Sequence, residues 1–73
     1  MEYPKLFKPV IGKTYINHGG GEFRCLWSSE TGGTFINTKS GWKFTAHGCR
    51  QYEDGTIEWD YSTDGYFDKE ALI

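Results

Sequence analysis

The sequence predicts an all-β fold, and three observations carry that expectation. Aromatic residues are abundant, with five Phe, five Tyr and three Trp among 73 residues, while Leu, Ile, Val and Ala are few. That balance favours strands over helices. Apolar and polar residues alternate over short runs, and no helical period persists for three turns. Glycine-bearing turn signals recur at a spacing of roughly 8–12 residues, the rhythm of small barrels and sandwiches.

Each element can be justified in order. Pro4 and Pro9 break the first residues, so 1–9 reads as an extended lead-in. "VIGKTYIN" is the first strand, and Gly12 inside it marks a bulge or a close backbone approach. "EFRCLWSS" alternates, with Phe23, Cys25 and Trp27 toward the core and Glu22, Arg24 and Leu26 opposite. "ETGG" turns the chain into "TFINT", and "KSG" leads into "WKFTAHG". There Trp42, Phe44 and Ala46 share the core face, with Lys43, Thr45 and His47 on the other.

Asp54-Gly55 is a hairpin dipeptide, because both central residues of a type I′ turn need positive φ. Beyond it Ile57, Trp59 and Tyr61 alternate with Glu58 and Asp60, and the aromatic set is assigned to the core, the alternative for Trp59 and Tyr61 being a stacking surface for a base. The two carboxylates then form the solvated side of the hairpin rather than an acid–base pair. Asp64-Gly65 turns into "YFDKEALI", a last short strand or helical turn, with 68–73 as a frayed tail. The result is a single domain, 1–73, built as a small five-stranded, partly open SH3-like barrel or sandwich. Trp42, Phe44 and Trp59 are expected to be largely buried. Open sheet edges invite pairing between chains, so a homo-oligomer is expected.

Length and charge narrow the function. A chain of this size buries roughly 60% of its unfolded surface, which leaves little stability to spare. Net charge is −2 with both signs interspersed. A basic stripe for nucleic acid is absent, as are the dense acidic runs of a DNA mimic. Small ligands and protein surfaces remain as partners. The N-terminus lacks the apolar core of a signal peptide, and no run approaches membrane-spanning length. The expected location is the cytoplasm, where Cys25 and Cys49 are free thiols rather than a disulfide.

The chemistry-bearing residues are weighed in turn. Gly19, Gly20 and Gly21 offer successive backbone N–H groups that an anion could use. They lead into a strand without the following Lys and Ser/Thr of a phosphate loop, so they read first as a turn. Arg24 and Arg50, the two arginines, suit bidentate recognition of phosphate or carboxylate. His47 and an exposed Tyr52 complete a candidate binding set for a small anionic, nucleotide-like ligand. His18, Cys25, His47 and Cys49 lack the spacing of a zinc site, and Cys49 lacks support as a nucleophile. No metal, no cofactor and no catalytic residue is expected.

"GKTYINHGGGEFRC" and "SGWKFTAHGCRQYEDGTIEWDYS" resemble a group of short proteins carried by phages and mobile elements of Gram-positive bacteria. The likeness runs from about residue 12 to 67. Its most distinctive pieces are the glycine run, "AHG" at 46–48 and "DGTIEWDYS" at 54–62. The group has no assigned catalytic residues to carry over. What the resemblance implies is a small accessory protein that binds and neutralises a host defence component. The expected activity is therefore non-catalytic: sequestration of a nucleotide-type signal. The alternatives are occlusion of a host immune protein and a nucleic-acid-binding barrel.

Overall fold

The computed structural model describes residues 4–72 and is all-β apart from a terminal 3-10 turn. Residues 1–3 and 73 of the expected lead-in and tail lie outside the described residues. The strands are β1 (Lys5–Leu6), β2 (Thr14–Ile16), β3 (Glu22–Ser28), β4 (Gly33–Asn37) and β5 (Trp42–His47). They continue as β6 (Arg50–Gln51), β7 (Ile57–Glu58), β8 (Tyr61–Ser62) and β9 (Tyr66–Phe67), followed by the 3-10 turn Lys69–Leu72. Among the described residues nine strands thus replace the expected five, because five of them are two-residue pairings cut from segments read as lead-in, loop or longer strand.

The strands form two antiparallel sheets. The smaller has the order β1-β6-β7, and the larger runs β2-β3-β4-β5-β8, with β9 also pairing β5. β8 takes the Ala46–His47 end of β5 and β9 takes the Trp42–Lys43 end. A parallel bridge from Asn17 to Ile57 ties the two sheets together.

Residues of both sheets meet in one core of Tyr15, Phe23, Cys25, Phe35, Phe44, Ala46, Cys49 and Ile57. Phe7 and Trp59 pack against it. Trp59 stacks on Phe35 at 6.0 Å and meets Phe23 edge-on at 5.4 Å, so the aromatic content is concentrated at one centre. Ring pairs of this kind add about 0.5–1.5 kcal/mol each beyond their buried area.

Three expectations about burial are corrected. Trp27 is 57% exposed, although it continues the alternation of Phe23 and Cys25. The register of β3 against β4 shifts between Cys25 and Trp27, so one extra residue turns Trp27 to the outer face. Trp42 shares the face of Phe44 but opens its strand at the end of the sheet, where it remains 37% exposed. Tyr61 is 64% exposed rather than core, because the chain bends at Asp60 between β7 and β8 and breaks the alternation.

The turns follow glycine chemistry. No residue except glycine has positive φ among those described, so Asp54-Gly55 is not type I′. Only Gly55 adopts φ +91°, and the hairpin closes through the pair Tyr52 N–Thr56 O (2.9 Å) and Gly55 N–Tyr52 O (3.0 Å). Gly12 sits in a turn from Val10 to Lys13 rather than within a strand, which shortens β2 to three residues.

Candidate functional site

An open groove of about 480 Å³ lies where β5, β9 and the segment after β7 converge. Trp42 and Phe67 form one wall, edge to face at 4.9 Å. They are brought together by the register of β9, which sets Phe67 directly across from Trp42. Gly65 makes this docking possible. A Cβ there would meet the Lys43 carbonyl and approach the Trp42 indole to 2.7 Å. Phe23, Phe44 and Trp59 form the floor, all in mutual ring contact.

No charged residue lines this groove; its polar members are Asn37, Ser40 and Ser62. Asn37 Oδ1 accepts from the backbone N–H groups of Lys39 and Ser40, both at 2.9 Å. Its NH₂ and the indole N–H groups of Trp42 and Trp59 donate to no acceptor among the described residues. The groove therefore offers apolar rings beside a few neutral polar side chains. That combination suits an aliphatic or aromatic group carried on a backbone with carbonyls to place.

A second, smaller cleft of about 280 Å³ also borders Trp59 and is lined by Asn17, His18, Gly19, Ile57 and Glu58. His18 lies against Tyr52 at 4.1 Å, and the Tyr52 hydroxyl donates to Glu58 Oε1 at 2.6 Å. That bond to a carboxylate, ahead of burial, raises the Tyr52 pKa.

The residues read from sequence as a ligand site are distributed between several places. Gly19 borders the second cleft and Tyr52 is near it through His18. Gly20 and Gly21 spend their N–H groups on Asn17: Gly20 on its carbonyl at 3.0 Å, Gly21 on its Oδ1 at 2.8 Å. The run is a hairpin turn with Gly20 at φ +84°, and two of its three N–H groups are occupied. Arg24 lies on the outer face of β3, in register with Thr14 and Ile36. His47 also faces outward and stacks on Tyr61 at 4.8 Å. Arg50 directs Nη2 to Asp60 at 3.5 Å. These residues do not converge on one ligand-sized space.

Other chemistry finds little footing. Both cysteines are free and fully buried. Burial, then the neighbouring Cys25 and Asp60, pushes the Cys49 thiol up to about 11. Burial likewise raises Cys25. Neither is a thiolate at neutral pH, so neither is an activated nucleophile. No three His, Cys, Asp or Glu side chains converge among the described residues. No described helix is long and apolar enough to cross a membrane.

Sequence reasoning missed Trp42 and Phe67 as site residues. The available signal was positional: each aromatic stands just after a glycine turn, Gly41 or Gly65, at the end of a strand rather than its middle. Fold and groove define the class: a small two-sheet β domain with an open, uncharged aromatic groove. Comparison with family models, curated proteins and solved structures returned no match.

Proposed function

We propose that the protein is a non-catalytic, protein-binding module that seats an extended apolar segment of its partner in the aromatic groove. One observation carries the reading: Trp42 and Phe67 stay 37% and 64% exposed while walling an uncharged cleft. Two large exposed rings at the mouth of a cleft are an unusual expense for so small a domain unless something covers them. Binding of this kind occludes the partner's surface. It suits the neutralising, host-directed role that the resemblance to phage and mobile-element proteins implies, exercised in the cytoplasm.

Sequestration of a nucleotide is the weaker reading. It needs phosphate donors around one space, whereas Arg24 faces away, Gly20 and Gly21 are spent, and Arg50 is engaged by Asp60. A nucleic-acid interface lacks a basic face for the same reasons.

Peptide display against the wild type and Trp42→Ala tests the proposal. Selected peptides should bind the wild type and lose at least tenfold in affinity for folded Trp42→Ala and Phe67→Ala. A nucleotide that binds in calorimetry, with affinity dependent on Arg24 and not on Trp42, would replace this reading with the sequestration one.

A further inference from the structure

We infer that the partner segment carries a basic side chain beside its apolar one, with Lys or Arg set against Glu58 in the second cleft. This rests on the groove reading above. Trp59 lines both clefts, so one indole is shared by an apolar site and a site bearing a carboxylate. A ligand crossing Trp59 meets both chemistries in succession.

Glu58 is suited to a cation from outside the chain. It takes one hydrogen bond, from the Tyr52 hydroxyl at 2.6 Å, while a carboxylate offers about four lone-pair sites. Among the described residues it forms no ion pair. The nearest candidate, Arg50, is its cross-strand partner but turns Nη2 to Asp60 instead. His18, the other basic group at the cleft, lies against Tyr52.

The segment that carries Glu58 is acidic. Residues 50–60 contain Glu53, Asp54, Glu58 and Asp60 against Arg50 alone. Asp54 stays firmly anionic, its carboxyl held low chiefly by the Thr56 hydroxyl.

Spacing follows from chain geometry. Side chains on one face of an extended peptide repeat every second residue, about 7 Å apart. The apolar and basic residues of the partner should therefore stand two positions apart.

Synthetic hexapeptides, blocked at both ends, test this by competition anisotropy. One position carries Leu, and the position two residues away carries Lys, Arg, Gln or Glu. The Lys and Arg peptides should bind the wild type at least tenfold better than the Gln peptide, with the Glu peptide weakest. Glu58→Gln should remove the Lys-over-Gln preference and retain the requirement for Leu. Circular dichroism on each variant confirms that it is folded. Equal affinity for Lys, Gln and Glu peptides, still dependent on Trp42, would overturn the basic-residue inference and leave the groove reading standing. Binding that ignores Trp42 would overturn both. So would a single-stranded dT oligonucleotide bound more tightly than every peptide. So would sedimentation showing a dimer that Trp42→Ala dissociates, since a second copy would then own the groove.

Discussion

The Trp42 indole meets the Phe67 ring edge to face at 4.9 Å, yet both rings keep much of their surface in water. The contact organises a wall without sealing it. Phe67→Ala should therefore cost only about 1 kcal/mol of stability, near the value of an aromatic pair. Urea denaturation followed by tryptophan emission would measure it. A loss of several kcal/mol would mean that Phe67 serves the core.

Gly65 should be far less tolerant. A Cβ at this position would run into the Lys43 carbonyl and the Trp42 indole, so β9 must move away. Gly65→Ala is expected to destabilise by about 1–3 kcal/mol, the cost of overpacking a fitted site. Gly19→Ala is the control, since its Cβ would find nothing nearer than Asn17 Oδ1 at 3.6 Å. Thermal melts of the two variants should differ clearly.

The glycine hairpin isolates backbone strain. Gly20 has φ +84° with nothing within 4 Å of its missing Cβ, so Gly20→Ala pays only for conformation, about 1 kcal/mol. Asn17→Ala removes the acceptor that holds Gly21 N–H at 2.8 Å and should cost a similar amount. Gly20→Ala should leave peptide affinity unchanged in a folded variant. A specific loss of binding in Gly20→Ala would return the turn to the site.

Trp27 and Phe35 make a contrasting pair. Trp27 is exposed on the outer face, and Trp27→Ser should cost under about 1 kcal/mol. Phe35 is fully buried and touches Tyr15, Phe44 and Trp59, so Phe35→Ala should cost about 3–5 kcal/mol and unfold so small a chain. Denaturant midpoints decide it, and a near-neutral Phe35→Ala would contradict the packing described.

Alkali should weaken the fold through Cys49. Its folded pKa, about 11, lies above the ordinary 9.0, so the protonated thiol is favoured in the native state. That contribution is complete below pH 9 and is lost as pH rises from about 9 to 11, where the unfolded chain ionises first. The slope from this thiol is at most about 1.4 kcal/mol per pH unit. Urea midpoints between pH 8 and 11 should fall more steeply for the wild type than for Cys49→Ala.

The all-β class was legible because alternation and turn glycines are local signals. Phe23, Cys25, Phe44 and Ala46 fell on the expected face for that reason. The bulge before Trp27 was not legible, since an inserted residue leaves the one-dimensional pattern unbroken. Two-residue strands such as β6 and β9 carry no period to read. The site was hidden for a different reason. The docking of Phe67 on Trp42 and of His18 on Tyr52 joins residues 25 and 34 positions apart, and no local spacing encodes such pairings.

The double covering of β5 decides how anything can be recognised. β8 and β9 occupy its edge in succession, and each ends the sheet with only two residues. At the opposite margin β2 is three residues long, and beyond it Asn17 is already bridged to Ile57. Among the described residues no long ladder of unpaired main-chain groups is left for an incoming strand to copy. In the proposed reading, a partner is then held in the groove rather than added as a further strand. The same blunted margins oppose the open-ended stacking that turns small β domains into fibres.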